Sequence, residues 1–335
     1  MQLKWLVFYF NLFCISFVFT ACGSPYGLEI DNSKITVAST VSPITSIVVS
    51  IGGDRINVIG IVPEGVDSHT YEPPPSIAMI LSEADIIFMN GLYLEEPILN
   101  MAHINQGDRS MIVKLGNKSI TDQQWIYDDS FPELNGYPNP HLWTDPILAL
   151  KYGEIIRDTL SNFDEKNRES YRRNFDQFTI NINKLDKEIQ LAVETVPKSK
   201  RRLLTYHDSF PYFAERYGFQ IIAAVQPSDF SEPSVRHVAT LIDQIRLEQV
   251  PAIFGSKSFP SPVMEQIAIE TGIEFVDDLR DDDLPGDVGD IDHSYLGLMV
   301  KNVESIVLAL GGNAENLKTL HFPQASEDYR KVINK

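Results

Sequence analysis

The chain has 335 residues, 46 of them acidic and 28 basic, for a formal net charge of −18. That balance argues against nucleic acid as a partner and makes a cation the natural ligand of the surface. Its two cysteines, Cys14 and Cys22, both lie at the extreme N-terminus, so the remainder contains no disulfide and must draw its stability from core size.

Lys4 opens the chain with a positive charge, and Trp5 to Ala21 is then an almost unbroken apolar run ending in "FTAC". A basic head, an apolar run and small residues before a cysteine make residues 1–21 a secretory signal ending in a bacterial lipobox. Cys22 would become the lipidated first residue of the mature protein; an uncleaved membrane anchor is the alternative. Either way the rest of the chain is exported. Residues 22–33 are polar and read as a tether. At about 150 residues per domain, the exported part is long enough for two domains.

Apolar β-rich runs then alternate with helical patterns. Strands are expected over 34–40, 55–62, 84–90 and 110–115, with helices in "PITSIVVSIGG", "PSIAMILSEA" and "EPILNMAHIN" between them. The grammar returns with strands over 201–206, 219–225, 251–255 and 273–279, and helices over 209–217, 233–247 and 261–271. Alternation of this kind predicts parallel sheets covered on both faces. The fold class is therefore α/β, with two doubly wound domains over 34–160 and 197–335.

The halves echo each other: "NVIGIVPEGVDSHTYEPPPSIAMIL" and "QIIAAVQPSDFSEPSVRHVATLI" both run strand, proline turn, acidic loop, Glu-Pro, helix. Proline suits the first helical turn, where its missing N–H had no partner anyway. Glu72 and Glu232 would then face the positive N-terminal ends of their helices. Between the halves, Phe175, Phe178, Ile182, Leu185, Ile189 and Val193 keep helical spacing. From Asp164, an N-cap candidate, to Pro197, a helix breaker, one helix of about 45 Å could form a stiff strut over 161–196. Two helices packed on one domain are the alternative.

Three of the seven histidines stand at comparable places. His69 follows the second strand of the first half, His141 follows that half's last strand after a long loop, and His207 closes the first strand of the second half. Ligands of doubly wound sheets gather outside the carboxyl ends of the strands, so the three could share one cleft. The carboxylate-rich "VDDLRDDDLPGD" follows the last strand at the equivalent edge, and an aspartate from it would complete a shell suited to Zn2+, or to Mn2+ or Fe2+.

These segments, "HTYEPPPS", "NPHLWTDP", "YHDSFPYFAERYGF" and "DDLRDDDLPGD…HSYLGLM", resemble the metal-binding solute-binding proteins of bacterial ABC transporters, family 9, the zinc and manganese receptor lipoproteins. The resemblance spans about Lys34 to Gly311. It implies a C-clamp of two α/β domains joined by a long rigid helix, with one divalent metal at the interface. It also implies His69, His141, His207 and Asp282 as ligands, Asp282 by its place in Leu279-Arg280-Asp281-Asp282, with Asp281 and Asp283 as rivals. The partners implied are an ABC permease and its ATPase, with a monomer held to the membrane by its lipid. Members that take zinc often carry a histidine-rich loop before the second histidine, which "NKSITDQQWIYDDSFPELNGYPNP" lacks. Members that take manganese typically place glutamate where this chain has His207.

Other polar residues carry blander expectations. His103, His237, His293 and His321 read as non-ligands, with His237 on an exposed helix face. Asp128, Asp129 and Glu133 read as a solvated acidic loop, and Gly52-Gly53-Asp54 as a helix-ending turn. A zinc hydrolase is the competing function from another class, but it would need an open metal position and a base. No "HExxH" and no nucleophile elbow occur. A surface adhesin would use the outer faces instead.

Overall fold

The computed structural model describes residues 31–320 and Phe322, apart from Asp129, Ser228, Asp229 and Ser258. The signal, Cys22, most of the tether and His321 lie outside the described residues. From Asn32 onward the chain forms one compact unit.

Two four-stranded sheets organise it. The first contains β1 (Ile35–Ser39), β2 (Ile56–Gly60), β3 (Ile86–Met89) and β4 (Met111–Lys114); the second contains β5 (Arg202–Thr205), β6 (Gln220–Ala224), β7 (Ala252–Ser256) and β8 (Glu274–Leu279). Their spatial orders, β2-β1-β3-β4 and β6-β5-β7-β8, are the same, and every pairing is parallel. Every residue of β3 and β7 is buried, which explains why those strands read as continuous apolar runs rather than alternating ones.

Parallel strands need crossovers, supplied in the first half by α1 (Ser42–Gly52), α2 (Ile77–Glu83) and α3 (Glu96–Asn105), with the short α4 (Leu115–Ser119) following β4, and in the second by α7 (Pro211–Tyr217), α8 (Val235–Glu248) and α9 (Pro262–Thr271). The α1 helix ends at Gly53, whose φ of 56° needs a residue without Cβ. The proline run ahead of α2 behaves differently from expectation. Pro74 and Pro75 accept backbone bonds from Ile77 and Ala78, forming a lead-in turn, and Glu72 lies exposed upstream of it rather than at the helix end. At α8 the cap is Ser234, which accepts the N–H of His237, while Glu232 accepts hydroxyl bonds from Tyr206 and Ser261. At α8 the serine takes the place expected for Glu232, because a short hydroxyl side chain reaches the free N–H groups more directly; at α2 the proline turn separates Glu72 from the helix end.

The connection between the halves is two helices, α5 (Pro146–Phe163) and α6 (Arg168–Glu194). Asp145 caps α5 by accepting from Ile147 N–H. Asp164 ends α5 instead of starting α6, because its carboxylate is engaged by the Tyr171 hydroxyl at 2.7 Å and the Asn167 amide at 2.7 Å. The α6 helix has 27 residues, about 40 Å of rise. Its buried stripe of Tyr171, Phe178, Ile182, Leu185, Ile189, Ala192 and Val193 is the one the periodicity marks.

That stripe joins a single core that runs through both halves, from Val37 to Leu317. A smaller core lies between the second sheet and α8 and α9, around Leu204, Leu241, Ile245 and Ile267. The final long helix, α10 (Tyr295–Ala309), packs against α1, α6 and β8, so an element late in sequence closes the core of the first half. Tyr295 marks the seam: its N–H donates to Ser46 Oγ at 2.8 Å, and its hydroxyl to the Trp143 carbonyl at 2.7 Å. Arg216 of α7 adds an ion-pair bridge to Asp186 of α6 at 2.8 Å and to Asp145 at 3.4 Å. The strut is thus half-buried scaffolding rather than a bare rod, and hinge motion about it must break packing. Leu185 is fully buried in the stripe, and Leu185→Ala is expected to cost about 2–5 kcal/mol, read as a lowered denaturant midpoint at constant m-value.

Candidate metal centre

Three loops converge where the two sheets face each other. After β2, Ile61 and Val62 continue alongside β1 through bonds to the Ser39 and Thr40 carbonyls, and the chain then turns at Asp67. The Asp67 carboxylate accepts the His69 N–H at 2.8 Å and the Thr70 hydroxyl at 2.9 Å, an Asx-type turn that aims His69 inward. His141 ends the long segment after β4. His207 leaves β5 at its carboxyl end, its carbonyl held by the Thr205 hydroxyl at 2.7 Å.

The three imidazoles meet. The His69 and His141 Nε2 atoms lie 3.2 Å apart, and those of His207 and His141 3.0 Å. One donor atom from each of the three lies within 4.8 Å of the others. His141 and His207 are buried, and His69 is half-buried.

The outer nitrogens decide what those contacts mean. His141 Nδ1 lies 2.8 Å from Asn139 Oδ1, and the Asn139 amide group donates to Asp128 Oδ2 at 3.0 Å and the Asp208 carbonyl at 2.7 Å, which fixes its oxygen toward the histidine. His207 Nδ1 lies 2.7 Å from Gln226 Oε1, whose amide group faces the Phe230 carbonyl at 3.4 Å. Both rings must therefore carry a proton on Nδ1, and in the neutral tautomer each directs a bare Nε2 lone pair at the other. Two acceptors 3.0 Å apart with no proton between them repel, and a cation at their focus reverses the sign. Burial, and then the neighbouring imidazoles, hold His69 and His141 well below the ordinary histidine range, so both are neutral donors near pH 7. Replacing Gln226 with Leu is expected to weaken metal binding 10- to 100-fold while leaving the fold intact, measured by competition with a chromophoric chelator.

The aspartate run divides its tasks. Asp281 accepts from the hydroxyls of Ser209 and Ser256, and its carbonyl accepts the Trp143 indole N–H at 3.0 Å. Asp283 pairs with Arg280 at 2.7 Å. Asp282 Oδ2 accepts the hydroxyl and N–H of Ser68, the residue before His69, at 2.5 and 3.2 Å. Its Oδ1 is buried without a hydrogen-bond partner among the described residues. Burial, partly offset by Ser68, pushes Asp282 up to about 8. Asp282 is not among the three-histidine donor group, but it is tied to the His69 loop and carries an unsatisfied buried oxygen.

Aromatic rings wall the cluster. Phe230 stacks on His69 with centroids 4.4 Å apart, Phe259 stacks on His207 at 4.6 Å, and Trp143 lies edge-on to His141 at 5.1 Å. Phe230 does so with a φ of 57°, a left-handed conformation uncommon for a bulky residue.

Three polar residues that sequence spacing did not single out build this site: Ser68, Asn139 and Gln226. Asn139 precedes His141 in a Pro-flanked turn, a signal that could have been read; Gln226 comes from a separate loop and leaves none. His293, expected to be bland, is buried and sits 3.2 Å from Glu64, joining the loop before His69 to the segment after Asp282. His103 is exposed, while His237 is half-buried rather than exposed. Asp128 is half-buried and bonded to Asn139, not a solvated loop residue.

The chain resembles known proteins over most of its length. The family described as ZnuA, zinc-uptake complex component A periplasmic, matches residues 37–309. The manganese-binding lipoprotein MntA of Halalkalibacterium halodurans is 25% identical over 309 residues, covering 92% of this chain and 99% of that protein. The iron ABC transporter substrate-binding lipoprotein MtsA of Streptococcus pyogenes serotype M1 is 27% identical over 302 residues, 87% of this chain and 93% of that one. Among solved structures, the periplasmic zinc binding protein TroA from Treponema pallidum superposes with a TM-score of 0.75 at 25% identity, covering 83% of this chain and 99% of its own.

Proposed function

The chain belongs to the zinc-uptake complex component A family, and we propose that it is the extracytoplasmic, lipid-anchored receptor of a metal ABC transporter that captures zinc. Its relatives are named as substrate-binding lipoproteins, receptors rather than enzymes. In this reading His69, His141, His207 and Asp282 strip the ion of water and hold it between the halves. A cognate permease and its ATPase then import it, the receptor acting as a monomer anchored through Cys22.

The observation that carries the reading is the convergence of three Nε2 atoms at 3.0–3.2 Å along two of their edges. Tetrahedral Zn–N bonds of about 2.0–2.1 Å place ligand nitrogens about 3.3–3.4 Å apart, so the apposition needs little adjustment to accept the ion. Asp282 Oδ1 supplies the fourth donor. Four protein ligands close the shell, whereas a catalytic zinc keeps a position for water. Nitrogen-rich donors favour zinc over manganese, which suits oxygen ligands. A manganese or iron receptor is the second reading, favoured by the names of MntA and MtsA.

Uptake of zinc, manganese and iron by metal-starved cells with and without the gene tests this. Loss of zinc uptake alone supports the zinc reading; loss of manganese or iron uptake alone moves the cargo; unchanged uptake of all three sinks the receptor.

A further inference from the structure

Solvent reaches the histidine cluster unevenly. His141 and His207 are 0% and 2% exposed, while His69 is half-buried and borders a cavity of about 330 Å³. Neither of the other two histidines lines that cavity. Its walls are mostly apolar and aromatic, including Tyr93, Phe131, Tyr137 and Phe230, and Glu96 is the one acidic residue in them among the described residues. Tyr93 and Tyr137 stand at its rim, about half exposed, with ring centroids 4.5 Å apart.

The wall is built rather than incidental. Gly91, Leu92 and Tyr93 take successive φ values of 76°, 51° and 67°, a run that two non-glycine residues enter only under constraint. Glu95, 2% exposed, imposes it: its carboxylate accepts the Thr40 hydroxyl at 2.6 Å and the backbone N–H groups of Asn90 and Gly91 at 2.8 and 3.0 Å. The strained turn places Leu92, Tyr93 and Leu94 in the cavity wall, and Glu96, the residue after the buried Glu95, lines it as well.

We infer that this cavity is the vestibule through which the hydrated divalent cation enters and leaves, with Glu96 as the carboxylate that draws it in and His69 as the first ligand to take it. The inference rests on the metal reading of the three-histidine cluster. A cation with six waters, at about 30 Å³ each, fits the volume, so the ion can arrive hydrated. Leu92, Leu94, Phe131 and Phe230 offer no oxygen to replace that water, and Tyr93, Ser130, Asn135 and Tyr137 offer only neutral side-chain ones. The shell is therefore shed at His69, where an imidazole lone pair can take over, and the ion then passes to His141 and His207 behind it. A carboxylate beside the route raises the local cation concentration and the association rate without belonging to the final shell.

Stopped-flow mixing of the full chain with zinc chloride, followed by transfer to a chelating dye, tests the route. Asn135 lines the mouth and is exposed, so Asn135→Trp narrows it without touching a ligand. It is expected to slow association and dissociation together, roughly tenfold each, with equilibrium affinity held. Glu96→Gln is expected to slow association about tenfold and flatten its dependence on ionic strength. Wild-type rates in both variants overturn the vestibule while leaving the metal site standing. A wild-type chain that binds no zinc at equilibrium instead removes the reading on which the vestibule depends. Circular dichroism and thermal melts of both variants separate a blocked route from a damaged fold.

Discussion

His141→Ala is expected to lower zinc affinity by at least 100-fold, about 2.7 kcal/mol or more, and to remove most of the thermal stabilisation that zinc confers. His141 is the pivot of the cluster, since its Nε2 is the atom that approaches both His69 and His207. Removing it takes away one ligand and separates the other two. With wild-type protein, zinc at 1,000 times its dissociation constant stabilises the native state by about 4 kcal/mol. Differential scanning fluorimetry with and without zinc reads this directly: a clear upward shift for wild type and a small one for the variant. His141→Ala should leave the metal-free fold standing, because the ring's deletion also removes a lone-pair repulsion. Equal zinc-induced shifts in the two proteins would exclude His141 from the shell.

Asp282→Asn produces effects of opposite sign on the free and the loaded protein. The carboxyl of Asp282 is pushed up to about 8 by burial, against an ordinary value of 3.8. A group whose folded value is raised adds stability below its unfolded value and loses it as pH rises through the folded one, so between pH 3.8 and about 8 this carboxyl progressively destabilises the metal-free chain. At pH 7 the penalty is on the order of 4 kcal/mol, and an amide that keeps the Ser68 contacts relieves most of it. The metal-free variant therefore melts higher than wild type at pH 7 and binds zinc more weakly. Wild type also releases close to one proton per zinc at pH 7, from Asp282, because the ion requires the carboxylate. The neutral His69 and His141 contribute none at that pH. Titration of zinc in weakly buffered solution with a pH indicator counts the protons, and the variant should release almost none.

Acid acts through His69 and His141 in the other direction. Their folded values are depressed, so the stability they contribute is present above about 6.5 and is lost as pH falls from there through the folded values. Zinc affinity is therefore expected to fall about tenfold per pH unit below about 8 through Asp282, and more steeply once His69 and His141 protonate.

The eight strands were legible because parallel strands buried on both faces appear as short continuous apolar runs between turn residues. The long helix was legible in its stripe but not in its start. Asp164 looks like a cap, yet it is claimed by Tyr171 and Asn167, contacts that periodicity does not encode. The shared core was not legible either. The final helix carries no sequence mark that it belongs beside α1, and only the fit of Tyr295 against Ser46 and Trp143 places it there. At the site, the histidines could be picked out because each follows a strand at its carboxyl end. The run Asp281, Asp282 and Asp283 differs by its partners: Ser209 and Ser256, distant in sequence, engage Asp281, Arg280 three residues back engages Asp283, and Ser68 beside His69 engages Asp282. Glu72 and Glu232 show the reverse case, where a repeated local pattern suggested a shared role that neighbouring serines and prolines fill instead.

The central claim is that one divalent ion sits at the focus of His69, His141, His207 and Asp282. Anomalous diffraction from zinc-soaked crystals, collected on both sides of the zinc edge, tests it most directly. The account predicts one strong peak per chain about 2.0–2.2 Å from the three Nε2 atoms and from Asp282 Oδ1. A peak at some other cluster of side chains, or no peak among these four, would contradict it.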